Sequence, residues 1–346
     1  MTINGADGEI ILCIAASHTG DRFLEELANL GCRVVLLTLH EHHDAGWSSD
    51  AVSELHGIPA GMTLQQITNT VTYLARSRKF ARLIALDNFN VQIAAALREH
   101  LRIPGMGVTT AGYFSDRLAA RLKAAQIGLA VPAFTSVTNY DELRQFMQAV
   151  PSPWLLTPRS ASCESKSWQL HESEEVWRAL DALGDDQSGF LVAQSIEGER
   201  MHVDSLTANG AVVFSAVSPY HAAASDGPEP GEVLPVAPKR NSHADIERLR
   251  RANAALLSST RMARGVAHTE FLRSNATGEF YFMETSASVD NRCVANMMKE
   301  THGVNLWQEW ARLEVAAMRG EPYSLSSNAG GRKALPASAE HQHRLA

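Results

Sequence analysis

Residues 265–292 read GVAHTEFLRSNATGEFYFMETSASVDNR. Two short apolar runs, Val266–Leu272 and Phe280–Glu284, flank the turn-rich Ser274-Asn275-Ala276-Thr277-Gly278, the pattern of an antiparallel hairpin or two neighbouring strands. Each run carries one carboxylate among apolar neighbours, Glu270 in the first and Glu284 at the end of the second. An ionised carboxylate inside a strand needs compensation unless it reaches water. If the register brings the two together, a divalent cation held by oxygen ligands, Mg²⁺ above all, is the natural compensation. Alternation alone leaves open that both glutamates face solvent on a half-exposed sheet.

The flanking chain is that of a globular protein large enough for two or three cores. It has 346 residues, 45% hydrophobic and 20% charged, with a formal net charge of −7. That charge argues against nucleic acid and acidic membranes as partners. Cys13, Cys32, Cys163 and Cys293 are scattered without a CxxC pair, as expected of reduced thiols in a cytoplasmic protein. The apolar run Ile10–Ala16 is strand-length and lacks a basic leader, so it reads as neither signal peptide nor membrane span.

Before residue 107 the pattern is β-α-β. Ile10–Ser17 is a buried strand, Phe23, Leu24, Leu27 and Leu30 mark a helix stopped by Gly31, and Arg33–Thr38 is a second buried strand. Leu64–Arg78 is a helix, Leu83–Leu86 a strand and Val91–Glu99 a helix. Only Gly20 stands where a phosphate-binding fingerprint would need several glycines, which argues against a dinucleotide site there. Asp87-Asn88-Phe89-Asn90 lies at a strand's carboxyl end, where open α/β sheets bind ligands, and equally suits an ordinary turn. The tract His40-Glu41-His42-His43-Asp44 has no partner cluster at ligand spacing and reads as a polar loop.

Beyond Ile103-Pro104-Gly105 the sequence predicts a helix capped by Ser115-Asp116, a helix over Asn139–Val150 and strands at Trp154–Thr157, Ser167–Leu170 and Phe190–Gln194. Glu197-Gly198-Glu199-Arg200 reads as a turn, and Asn209-Gly210 joins Met201–Leu206 to Ala211–Val217 as a hairpin. Ala222–Ser242 reads as a loop over a site. Helices follow at Ala244–Met262, Val294–Thr301 and Leu306–Arg319, and a polar tail expected to be disordered begins at Ser324.

Ordered landmarks, SDRLAARLKAAQIGLAVPAF, PWLLTPRS, EGERMHVDS, GVAHTEF, FYFMETSA and GVNLWQEWARLEV, make residues 116–319 resemble the ATP-grasp superfamily. Residues 10–101 resemble the α/β domain that precedes the grasp in its carboxylate–amine ligases. The resemblance implies an α/β plus α+β chain. A Rossmann-like parallel-sheet domain over 1–107 would be followed by a small grasp subdomain over 108–189, a C-terminal subdomain over 190–323 and the tail at 324–346. It also implies ATP and Mg²⁺ as cofactors, a small carboxylate as substrate and an amine or other nucleophile as co-substrate, with a homodimer one state open to the chain.

By the same resemblance Glu270, Glu284 and Ser286 are metal ligands. Arg117, Thr157, the hinge Gln194-Ser195-Ile196 and Glu199 contact the nucleotide, and Arg159 and Lys166 serve the phosphate and acyl phosphate. Triphosphate charge must be neutralised before a second anion can attack its γ-phosphorus. The site departs from the family at several of these positions. Arg117 and Thr157 stand where lysines are usual, Ala193 replaces a glutamate, and Ser286 and Ser288 replace an asparagine and an arginine. The phosphate-covering loop 160–166 holds no glycine and includes Glu164. The expected function is an ATP-dependent ligase, with a non-catalytic binding or interaction module of the same fold as the alternative.

Overall fold

The computed structural model describes residues 8–160, 167–220, 242–289 and 292–326. The loop 161–166 with Lys166, the stretch 222–241 and the tail from 327, all read from the sequence above, lie outside them.

The chain is mixed α/β, its described residues forming one parallel and two antiparallel four-stranded sheets. The first sheet comprises β1 (Ile10–Ala15), β2 (Arg33–Leu39), β3 (Glu54–Ile58) and β4 (Phe80–Ala85), in the order β3-β2-β1-β4 and all parallel. Its crossovers carry α1 (Asp21–Asn29) and α2 (Leu64–Ala75), and α3 (Val91–Leu101) follows β4. Strand β3 is not legible in the sequence. Its residues ELHGI mix charge, histidine and glycine and alternate too weakly to register as a strand. Helix α4 (Val108–Ser115) lies where the sequence pattern predicts no helix. Ser115 closes that helix, and Asp116 alone caps the next, accepting from Leu118 N at 2.9 Å.

Next come α5 (Arg117–Gln126), β5 (Phe134–Ser136), α6 (Tyr140–Ala149), β6 (Trp154–Pro158), β7 (Trp168–Leu170), α7 (Ser173–Leu183) and β8 (Phe190–Gln194). These strands form the antiparallel sheet β5-β8-β6-β7, backed by α6 and α7 through Leu143, Val176 and Leu180. The third sheet orders β10 (Ala211–Pro219), β9 (Gly198–Ala208), β11 (Gly265–Ser274) and β12 (Phe280–Ser286) as β10-β9-β11-β12. β9 begins inside the stretch 197–200 expected to be a turn, because Gly198–Arg200 pair with Leu272–Ser274. Helix α8 (His243–Ser259) packs on this sheet with α5, and α9 (Arg292–His302) and α10 (Leu306–Arg319) complete the described chain.

The first and third sheets share cores. Val266 of β11 and Trp307 and Trp310 of α10 pack with Phe23 of α1 and Ile84 of β4, the Phe23 and Trp310 rings lying 4.7 Å apart. On the other face of the parallel sheet, Leu12 and Leu83 join Phe114 of α4 and Ala267 of β11. The chain just past 323 is not loose as expected. Leu325 packs against the first core, and Ser326 N donates to Glu309 at 3.5 Å. Among the described residues no helix is long and apolar enough to cross a membrane.

The β11–β12 pair is set by a fully buried contact, Phe271 against Phe282, edge-to-face at 6.0 Å. Beside it the register slips by one residue, Glu270 pairing Glu284 but Phe271 pairing Phe282. A bulge of this kind re-aims the side chains next to it. Phe282→Ala should therefore cost about 3–5 kcal/mol of stability in urea unfolding. A loss under about 1 kcal/mol would mean that the bulge is held by other contacts.

Candidate active site

Directly opposed residues of antiparallel strands share a face, and the third sheet uses this twice. Glu270 of β11 lies between His202 of β9 and Glu284 of β12, and two residues earlier His268 lies between Asp204 and Ser286. Six polar or charged side chains thus occupy one face of three neighbouring strands. Glu270, Glu284, Ser286 and His268 line a cavity of about 190 Å³ together with Asn88, Ser115, Asp116, Arg117, Arg159 and Ser288.

Its cationic wall comes from the start of α5 and the end of β6. Arg117 N donates to Arg159 O at 2.7 Å, and Asp116 and Ser160 form an isolated bridge. Arg159 binds the Asp116 carboxylate with Nη2 at 2.5 Å and Nε at 3.2 Å. That pairing raises the Arg159 pKa above its ordinary value. Arg117 reaches across the cavity, its Nε donating to Glu284 and its Nη1 to Pro158 O at 2.9 Å. Behind it Arg121, 4% exposed, donates to Met283 O at 3.3 Å, and burial pushes its pKa down to about 10.

The third wall belongs to the parallel sheet. Asp87 closes the carboxyl ends of β1 and β4, accepting from Ala16 N at 2.5 Å and Asn90 N at 3.0 Å. Burial raises its pKa against those hydrogen bonds. The turn it holds presents Asn88 to the cavity, its buried Oδ1 making no hydrogen bond among the described residues.

Behind Glu270 runs a buried polar chain. His202 Nδ1 and His268 Nδ1 donate to the two oxygens of Asp204 at 2.7 and 2.8 Å. Tyr220 OH bonds His268 Nε2 at 2.7 Å and donates to Glu270 Oε1 at 2.9 Å. Burial pushes the Asp204 carboxyl up, but the two histidines outweigh it and hold the group below its ordinary 3.8. Glu270 behaves alike. Burial raises it, and His268, Tyr220 and Arg200 together bring it below its ordinary range. His202, Asp204 and His268 are the one described group of three side chains close enough to share a metal ion. Their N–H to carboxylate bonds already account for the cluster.

The residues singled out from the sequence divide between places. Arg117, Arg159, Glu270, Glu284 and Ser286 line one cavity. Thr157, 9% exposed, bonds Ser167 Oγ at 2.7 Å inside the small sheet. At the hinge, Gln194 N and Ser195 N already donate to Ala133 O and Pro153 O, at 2.8 and 3.0 Å. Ile196 is half-buried just beyond, and Glu199 is exposed on β9 opposite Arg273. None of these five lines the cavity. Tyr220 and the His202–Asp204 pair were not singled out. The polar-x-polar spacing His202-x-Asp204 followed by His268-x-Glu270 was the available signal, and only strand pairing merges the two.

No family model matches the sequence. A sequence relative, the L-arginine-specific L-amino acid ligase of Bacillus subtilis, is 21% identical over 243 residues, covering 68% of this chain and 58% of that protein. The chain therefore matches under two thirds of that relative's length. The L-amino acid ligase of Bacillus licheniformis superposes with a TM-score of 0.70 at 18% identity, over 90% of this chain and 75% of that one. The chain has the ATP-grasp fold. The same fold gives a TM-score of 0.70 to the biotin carboxylase domain of the Hydrogenobacter thermophilus 2-oxoglutarate carboxylase, a structure with MgADP, at 14% identity over 92% of this chain and 71% of that one. The N5-carboxyaminoimidazole ribonucleotide synthetase of Thermotoga maritima follows at 0.65 and 13% identity, over 93% and 78%.

In an ATP-grasp cleft the donor set can be tested against the groups it would hold. Glu270, Glu284 and the Ser286 hydroxyl offer hard oxygen atoms on one face, which fits Mg²⁺. Among the described residues the cavity's carboxylates, Asp116, Glu270 and Glu284, outnumber its guanidiniums, Arg117 and Arg159, so a divalent cation also improves that charge balance. Phosphate is served less well, since both arginines are already paired to carboxylates.

Asp204→Asn preserves shape but leaves one acceptor for two buried donors. It should cost about 3–5 kcal/mol, read as a lowered midpoint of urea unfolding at neutral pH. Because the folded carboxyl lies below its ordinary value, this contribution is complete above about pH 4 and fades as pH falls through the folded pKa. The gap between native and variant should therefore close only in strong acid.

Proposed function

We propose that the protein is an ATP-dependent ligase that joins a small carboxylate, in the first instance an amino acid, to an amine or other nucleophile. The observation that carries this reading is the single face on which Glu270, Glu284 and Ser286 line a cavity opposite Arg117 and Arg159. Mg²⁺-bound ATP, when present, would supply a phosphoryl group that turns the carboxylate into an acyl phosphate. Glu270, Glu284 and Ser286 would hold the metal, Tyr220 keeping Glu270 in place through its hydrogen bond.

Arg117 would exchange Glu284 for a phosphate oxygen once the metal neutralises that glutamate. A guanidinium bound to a carboxylate can rebind phosphate with similar planar geometry. Arg159, held by Asp116, would face the acyl group. Asn88 Oδ1, buried without a hydrogen bond among the described residues, is an acceptor suited to an amine N–H. Lys166 is the candidate to replace the strand-borne cation that Thr157 cannot supply. Gln194, Ser195 and Ile196 are proposed as the adenine hinge and Glu199 as the ribose contact, with Thr157 at the strand position beside the α- and β-phosphates. The likeness to L-amino acid ligases supports an amino acid as the carboxylate.

A second reading, a non-catalytic binding module, has its own support: both cavity arginines are paired, and Thr157 is engaged with Ser167. Incubation with ATP, Mg²⁺ and a panel of amino acids, followed by ADP release and mass spectrometry, tests the ligase. Amide product should form, and Glu284→Gln should lower its rate by about 10²-fold. The absence of ADP release with every amino acid favours the module.

Calorimetric titration with ATP separates the readings further. For the ligase, Lys166→Ala should weaken ATP binding by about 1.5–3 kcal/mol, and Thr157→Lys should strengthen it. Equal, negligible heats for native and Lys166→Ala protein would end the relocated-lysine assignment.

A further inference from the structure

A second cavity lies away from the cleft, where β4, α3, the turn 104–106, the start of β11 and α10 meet. The two cavities share no lining residue. This one measures about 40 Å³ and brings Arg82, Arg98 and Arg264 around one carboxylate, Glu314. Arg264 Nε donates to Glu314 Oε2 at 3.0 Å, while Arg82 Nε stands 3.7 Å from the same oxygen. Arg98 directs Nε to Leu83 O at 2.7 Å and Nη1 to Met106 O at 3.1 Å. Carbonyls orient a guanidinium without cancelling its charge, so on this lining three cations face one anion.

Burial sharpens the imbalance. Arg82 is 7% and Glu314 6% exposed. Burial, then the charge of Arg264, lowers the Arg82 pKa, and burial pushes Arg98 down to about 10 against the pull of Glu314. Buried charge without compensation is among the costliest features a fold can carry. Two donors on the lining make no hydrogen bond among the described residues: Arg82 Nε, whose contact with Glu314 is the 3.7 Å ion pair, and the indole Nε1–H of Trp310, itself 5% exposed. Excess positive charge and two N–H groups without hydrogen bonds converge on the same small space.

We propose that this cavity is a binding site for a small free oxyanion, a carboxylate or inorganic phosphate, held by Arg82, Arg264 and Trp310 with Arg98 adding charge. Size sets the ligand class. A water molecule needs roughly 10–15 Å³ by the same measure, so the space equals about three water molecules, the scale of a small oxyanion and far short of a nucleotide. The exposed turn at Pro104-Gly105 forms the rim through which it would enter. Because the walls come from the parallel sheet, β11 and α10, the anion would bridge the first and third sheets, and its binding would stabilise the whole fold.

Thermal unfolding tests this in sodium chloride, with phosphate or acetate replacing chloride at constant ionic strength. Native protein should show a saturable rise of roughly 2 °C or more with at least one oxyanion. A rise with phosphate alone assigns phosphate, and a rise with acetate assigns a carboxylate. In chloride, Arg82→Met should melt no lower than native protein, since one of three buried cations facing a single carboxylate is gone, and its oxyanion response should vanish. Trp310→Phe keeps the ring, removes the donor and should weaken the apparent affinity about tenfold. It serves as the test if Arg82→Met does not fold. Arg117→Gln, in the cleft, should keep the native response. The proposal fails if neither oxyanion shifts native protein beyond chloride. It fails equally if native and Trp310→Phe respond alike, or if only Arg117→Gln abolishes the shift.

Discussion

The candidate site depends on the pairing of β11 with β9 on one side and β12 on the other. That register lays His202, Glu270 and Glu284 in one row and Asp204, His268 and Ser286 in the next. A slip of one residue would turn Glu270 into the apolar layer now filled by Phe271, Leu256 and Ala120. The slip is resisted by the fully buried Phe271–Phe282 contact and by the Thr269–Thr285 hydroxyl bond at 2.8 Å on the opposite face. Packing on one face therefore fixes charge placement on the other.

Holding acidic groups this close demands compensation, which comes from a different element for each. Glu284 is matched from α5 by Arg117, Glu270 from the end of β10 by Tyr220 and from β9 by Arg200, and Asp204 by two histidines. Asp116 both caps α5 and grips Arg159, so one carboxylate fixes the direction of the helix and of the cation beside it. The cleft is thus pre-arranged, with Arg117 and Arg159 already engaged by carboxylates. An anionic ligand that used Arg117 or Arg159 would compete with Glu284 or Asp116 for it.

The parallel sheet contributes in the same manner. Asp87 joins the ends of β1 and β4, and that junction delivers Asn88 to a cavity whose other walls lie far along the chain. Phe23, Trp307 and Trp310 bind the first sheet to α10, so the cleft is built between bodies that share a core rather than between loosely tethered ones.

The sequence by itself determined the apolar β-α-β beginning, the hairpin at Asn209-Gly210, the helix Leu306–Arg319 and the two strands that carry Glu270 and Glu284. Each is a local pattern, periodicity or turn chemistry, that needs no distant partner. It left β3 and α4 unread because neither has a strong period of its own. The tertiary structure alone decided that the two glutamates share a face, because alternation names two faces and only register chooses between them. It alone showed that Arg117 is engaged by Glu284, 167 positions away, and that Arg82, Arg98 and Arg264 surround a single carboxylate. Compensation of charge is a long-range property. Residues far apart in the chain set it through the space they enclose, and no local spacing records that space.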